Sequence, residues 1–299
     1  MVHHDSCPLC SSVMISVHFD CIDHFISKER FVIDRCSTCG FLFTQDYPGE
    51  NEISGYYESA DYISHSDTSE GIINKVYHLI RKVMLLKKSR MVKKVTGLQT
   101  GKVLDVGSGT GHFASVMKNA GWAVKGIEIS EKARTFSAET FDLEIISPEQ
   151  ITELAPNSFD CVTMWHVLEH FYDPLRYISD IFSLLKPDGV CLVALPNCSS
   201  HDARYYRQVW AAFDVPRHLW HFDPATFADF AQKAGQKVEC QFVLPFDVFY
   251  ISALSEKYRG SRRPFISGII KAFWFSCLTL FDRNRSSSII YILRKQSDK

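Results

Sequence analysis

From Lys102 onward, short continuously apolar runs alternate with stretches whose apolar residues recur every three or four positions, a pattern of strands interleaved with amphipathic helices. The strand runs are KVLDV at 102–106, VKGIEI at 124–129, LEII at 143–146, CVTMWH at 161–166, VCLVAL at 190–195, VECQFV at 238–243 and SIIYIL at 288–293. A turn at Pro187, Asp188 and Gly189 precedes the fifth run. Between runs, FASVMKNA is helical and stops at Gly121, and Asp223 with Pro224 forms the N-cap and first position of a helix that ends at Gly235. This alternation predicts a doubly wound α/β domain over 98–299.

Upstream the pattern changes. Residues 1–45 hold short apolar patches such as Phe31, Val32 and Ile33, which predict small strands. Residues 46–97 hold a Tyr-rich connector and a basic amphipathic helix that ends at Gly97. In the connector, Tyr56, Tyr57, Tyr62 and His65 either fold over a site mouth or join the two modules. Residues 198–222 form an expected lid, and 244–288 a helical insertion too long for a simple connection. That insertion contains FISGIIKAFWFSCLTLF, shorter than a usual membrane span and interrupted by Lys271. Packing on the sheet or on a partner chain is its first reading. Peripheral membrane contact through 259–285 is the second, helped by Arg259, Arg262, Arg263, Lys271, Arg283 and Arg285.

Composition is that of an ordinary globular chain, 46% hydrophobic and 22% charged, which excludes disorder and collagen. Lys+Arg 33 against Asp+Glu 34 removes any overall bias toward polyanions. The start MVHHDSCPLC lacks a hydrophobic secretory core, so a cytoplasmic location with reduced cysteines is expected. Cys7-x-x-Cys10, 25 intervening residues and Cys36-x-x-Cys39 have zinc-ribbon spacing. Two such knuckles supply four thiolates and leave no open position for water, so the expected Zn2+ is structural.

The densest chemistry lies at Asp105, Gly107, Ser108, Gly109 and Gly111, where a strand enters a glycine turn and then a helix. Glu128 ends the next strand, 23 residues after Asp105, where its carboxylate can accept both hydroxyls of a ribose. A dinucleotide fingerprint would need glycine at position 112, which is His112, and no Walker lysine follows. The acidic strand residue before the turn suits a cationic amino-acid moiety instead.

The ordered series DVGSGTG, GIEIS, NSFDCV, WHVLEHFYDP and LKPDG resembles the successive motifs of class I S-adenosylmethionine-dependent methyltransferases, closest to the quinone-biosynthesis O-methyltransferase subgroup, over about 98–245. The resemblance implies a seven-stranded, mostly parallel sheet with its last strand antiparallel. It implies S-adenosyl-L-methionine as cofactor, with Asp105, Gly107, Ser108, Gly109 and Gly111 around the methionine part, Glu128 on the ribose and Ile129 beside the adenine. Relatives carry an Asp for the adenine amino group where this chain has Pro148, so Glu149, Gln150 or a backbone carbonyl is the expected substitute. Trp165 and His166 match residues bordering the sulfonium. The segment 5–70 resembles the N-terminal zinc module of some bacterial methyltransferases, including sugar C-methyltransferases, without the large further domain of those enzymes.

Methyl transfer to oxygen benefits from a nearby base, and His166, His170 and His218 all fall at the carboxyl rim of the sheet. His166 reads first as packing against the cofactor and His170 as a helix cap, which leaves His218 the preferred base. Arg217 pairs with Asp214 or with an acidic acceptor. Tyr205, Tyr206, Trp210, Phe213 and Trp220 either wall an acceptor pocket or form the core of the lid. The expected activity is methyl transfer to a small-molecule acceptor: a glycan precursor, a quinone-like aromatic or a lipid-linked metabolite, by a monomer or homodimer. Two rivals stand beside it. One is an RNA methyltransferase that uses the zinc ribbon and the eight Lys/Arg of 72–94, although the balanced net charge disfavours nucleic acid; the other is a non-catalytic binding module.

Overall fold

A computed structural model describes residues 1–57 and 72–295. Tyr62 and His65 lie outside the described residues. At the N-terminus, β1 (Ile15–Ile22), β2 (Arg30–Cys36) and β3 (Leu42–Gln45) form an antiparallel meander. The central sheet follows with β4 (Lys102–Val106), β5 (Ala123–Ile127), β6 (Ile145–Ile146), β7 (Phe159–Trp165) and β8 (Leu185–Pro196). The remaining strands are β9 (Trp220–His221), β10 (Gln236–Val243) and β11 (Ser288–Lys295).

The central order is β10-β11-β8-β7-β4-β5-β6, and β11 is antiparallel to both its neighbours while β4 to β8 run parallel. This is the doubly wound seven-stranded sheet of the class I methyltransferase fold. Its middle strands are buried on both faces, which explains why they read as unbroken apolar runs. Two details differ from the sequence expectation. LEII contributes only Ile145 and Ile146 to β6. The expected turn at Pro187–Gly189 is instead a bulge inside β8: Phe159 pairs with Leu185 and Cys161 with Val190, so the residues between are looped out without breaking the strand.

The helices are α1 (Ile72–Thr96), α2 (His112–Asn119), α3 (Glu131–Phe141), α4 (Pro174–Leu184), α5 (His201–Tyr206), α6 (Pro224–Lys233), α7 (Asp247–Tyr258) and α8 (Pro264–Phe281). Asp223 caps α6 by accepting from the Thr226 N–H at 2.8 Å. The insertion is the α7–α8 hairpin, pinned where a Cβ on Gly268 would come within 2.6 Å of the Ala253 Cα.

The cysteine module and the lid share one sheet. β3 pairs with β9, giving the order β1-β2-β3-β9, and the Thr44 N–H donates to the Leu219 carbonyl at 2.9 Å. Of the lid aromatics, Tyr206, Trp210, Phe213 and Trp220 are buried and Tyr205 is half-buried against them, so they form core rather than an open wall.

Candidate active site and cysteine centre

The glycine turn follows from β4. Asp105, buried at its centre, accepts from the Thr163 hydroxyl at 2.6 Å and the Ser108 hydroxyl at 3.0 Å. Burial pushes this carboxyl up to about 6, against the pull of those two hydroxyls. Asp105 thus fixes the turn from inside. Gly107 has φ +67°, and a Cβ there would lie 2.4 Å from the Val167 side chain, so the turn packs directly on the segment after β7. Gly109, with φ +54°, differs: its missing Cβ faces open space, with nothing within 4 Å. This is a backbone cradle that a ligand can approach.

Glu128 closes the cradle. One carboxylate oxygen accepts from the Gly109 N–H at 2.8 Å and the other from the Ser130 N–H at 2.9 Å. Each oxygen keeps a lone pair for a ribose hydroxyl. Ile129 beside it is 80% exposed, an apolar plate with no protein covering it. Glu149, on the turn Pro148–Glu153, is exposed near the same rim, and Trp165 has its indole N–H buried without a hydrogen-bond partner among the described residues. These features fit S-adenosylmethionine: a bare turn, an anchored carboxylate and an open apolar flank in order along the strand ends.

Past β7 lies a buried carboxylate ringed by imidazoles. His166, held at φ +59°, places Nε2 2.9 Å from the Asp247 carboxylate and Nδ1 3.6 Å from Glu169. Burial works against the charge of His166, but Asp247 and Glu169 outweigh it and raise the imidazole to about 9. His170 donates Nδ1–H to the Arg217 carbonyl at 2.9 Å; burial and the neighbouring His218 push it down to about 4, so it is neutral. His218 donates Nδ1–H to the Ala212 carbonyl at 2.9 Å, and its Nε2 lies 4.0 Å from both the Glu169 and the Asp214 carboxylates. Glu169 is fully buried, and neither oxygen has a hydrogen-bond partner among the described residues. Burial opposes its charge, yet the charged His166, 3.6 Å away, holds it below the usual range. Ligand-type atoms of Glu169, His170 and His218 all lie within 4.8 Å of one another.

All three sequence-predicted histidines therefore meet around one carboxylate. Sequence reasoning missed Glu169, Asp247 and Lys88. Glu169 stood inside a quoted motif, adjacent to His170, but an acid in a helical turn gives no sign that it will be buried. Lys88 belonged to the basic stripe of α1, and it lies 4.2 Å over the Trp165 ring. Arg217 resolves toward protein partners: it donates to both oxygens of Asp214, to Asp23 at 2.9 Å and to the Tyr56 carbonyl at 3.0 Å.

In the cysteine centre, the sulfurs of Cys7 and Cys39 lie 3.6 Å apart, as do those of Cys10 and Cys36, and all four fall within 4.8 Å of one another. Tetrahedral zinc with Zn–S near 2.3 Å requires sulfurs about 3.8 Å apart, so the set fits Zn2+. Burial disfavours a thiolate at Cys36, but the Cys39 and Thr38 amides bring it down to about 6.

The family described as "Methyltransferase domain" matches residues 77–241, more than half of the chain. The chain belongs to this family. A ubiquinone biosynthesis O-methyltransferase of Thiobacillus denitrificans is 39% identical over 154 residues, 46% of this chain and 65% of the relative. One from Neisseria meningitidis serogroup C is 34% identical over 158 residues, 47% and 66% respectively. The chain thus spans just under two thirds of the length of these relatives. The crystal structure of the Burkholderia thailandensis 1,6-didemethyltoxoflavin-N1-methyltransferase shares the fold at 15% identity, with TM-score 0.51 over 92% of this chain and 99% of that one. Methyltransferase fold, S-adenosylmethionine cradle and zinc-type cysteine centre thus occur together in one methyltransferase chain.

Proposed function

We propose that this methyltransferase moves the methyl group of S-adenosylmethionine to an oxygen of a small acceptor, and that His218, backed by Glu169, receives the acceptor's proton. Bound in the cradle, S-adenosylmethionine supplies a methyl carbon on positively charged sulfur. The observation that carries the base assignment is the orientation of His218: with Nδ1–H committed to the Ala212 carbonyl, Nε2 faces the buried Glu169 carboxylate at 4.0 Å, where an acceptor hydroxyl can give its one proton to Nε2. As the oxygen–carbon bond forms and the sulfur–carbon pair returns to sulfur, the hydroxyl proton passes to Nε2. The ionised Glu169 then stabilises the resulting imidazolium. His166 is already charged through Asp247 and Glu169, which removes it from base work and leaves it to orient Glu169.

That the two relatives are O-methyltransferases of ubiquinone biosynthesis supports an oxygen nucleophile and a quinone-like phenol over a glycan precursor. A lipid-linked acceptor and peripheral membrane contact through 259–285 belong to the same reading. Labelled methyl transfer to a panel of phenols and catechols tests it. Glu169→Gln is expected to lower kcat by about 100-fold or more while cofactor Kd stays within about twofold. Full activity in that variant refutes the base assignment, and label recovered in RNA refutes the acceptor class.

A further inference from the structure

The α8 helix is turned inside out. Phe265, Ile266, Ile269, Ile270, Phe273 and Trp274 recur at helical spacing and are 45–65% exposed, while Gly268, Ala272 and Phe275 are buried against the fold. The strip continues through Leu280 and Phe281, 78% and 90% exposed. No Asp or Glu occurs in 264–281, and the one cation, Lys271, turns inward to pair with Glu256. The sequence expectation that Lys271 would face a membrane is thereby corrected. Arg259 and Arg285 are likewise held by Glu256 and Asp282. Arg262, Arg263 and Arg283 remain exposed, two before the helix and one after it, with no ion pair among the described residues.

Deepening the membrane contact assigned above, we infer that this face docks in the plane of an anionic lipid bilayer, with the apolar strip in the acyl boundary and the flanking arginines on acidic headgroups. The helix is long and apolar enough to cross a membrane. Its inner side, however, is locked to α7 by the Gly268–Ala253 approach, so it lies flat. Charge selects the occupant. A second copy docked on this face by twofold symmetry would bring arginines against arginines, whether the helices ran parallel or antiparallel. Acidic headgroups meet the same arginines with opposite charge.

The surface also leads to the active site. Phe273 contacts Phe249 edge-on at 5.0 Å, Phe249 lies 6.4 Å from Phe246, and the next residue, Asp247, holds His166. Packed aromatic side chains therefore connect the lipid-facing strip to the start of α7, which carries Asp247, and docking at the strip would bring an acceptor held in the bilayer close to the imidazole cluster. This delivery rests on the proposed transfer reaction; docking does not.

The test uses the full chain without cofactor or acceptor, so its outcome is independent of transfer. Vesicles of phosphatidylcholine alone are compared with vesicles containing about one third phosphatidylglycerol. Expected are co-sedimentation with the anionic vesicles and a blue shift in emission that is lost in Trp274→Phe. Ile266→Glu with Ile270→Glu, both on the exposed face, is expected to weaken partition by about tenfold or more. Arg262→Ala with Arg263→Ala is expected to weaken it by about fivefold per residue. Retained binding in the glutamate variant, or no binding by the parent chain, overturns the inference. So does a parent dimer that the glutamate variant dissociates in the absence of lipid. If docking holds, the glutamate variant should slow methylation of a vesicle-embedded acceptor and leave a soluble one unaffected.

Discussion

At the scale of single residues, the fold sets the charge of His166. His166 is raised from 6.5 to about 9, so the folded state binds its proton more tightly than the unfolded chain does. Its contribution to stability is complete below about pH 6.5 and is lost as pH rises through about 9. Melting temperatures of the parent and of His166→Gln should therefore differ near neutrality and converge above about pH 10. Glu128 offers a second test. It binds two backbone amides and can take two ribose hydroxyls, so Glu128→Ala should weaken S-adenosylmethionine by about 10- to 100-fold in calorimetry. Both residues were legible in sequence, Glu128 through its place at a strand end and His166 through its motif. The charge of His166 was not, because the carboxylates that create it come from a distant helix and from a turn whose burial only the tertiary fold creates.

Among elements, the glycine turn separates stability from binding. At Gly107, alanine meets a left-handed backbone and the Val167 side chain at 2.4 Å, so Gly107→Ala should cost at least about 2 kcal/mol of folding stability by denaturant titration. At Gly109 the new methyl enters open space, so Gly109→Ala should cost about 1 kcal/mol but abolish measurable cofactor binding. Strand and helix positions were readable because apolar periodicity follows from burial. The β8 bulge was not, since Pro187, Asp188 and Gly189 carry the same chemistry in a bulge as in a chain-reversing turn. Nor was the direction of the α8 face: apolar spacing reports a stripe without saying whether protein or lipid covers it.

Across the whole molecule, the cysteine module is tied to the catalytic domain rather than hung beside it. The β3–β9 ladder forms one link, and Arg217, buried between Asp23 and Asp214, forms another. Arg217 also presents the carbonyl that holds His170. Chelation of the metal with the chain intact should therefore lower both melting temperature and turnover, in contrast to the loss of a detached module. Arg217→Leu should cost about 3–5 kcal/mol, because the buried Asp23 carboxylate would be left in the interior without its counter-charge and Asp214 would lose its partner. Nothing in the spacing of cysteines or aromatics predicts this joint, whose partners lie far apart in the chain.

The same ladder governs the order in which the protein can be completed. Thr44 and His221, bonded across it, are 177 residues apart. At ribosomal rates the first partner would leave the exit tunnel roughly 10 to 35 seconds before the second. During that interval the outer strand of the nascent meander has an open hydrogen-bonding edge, and Phe41 lacks Trp220 and Phe222, the aromatic partners that later cover it. A truncated product ending before residue 219 should therefore be captured by chaperones or aggregate, even if its metal knuckles have already closed.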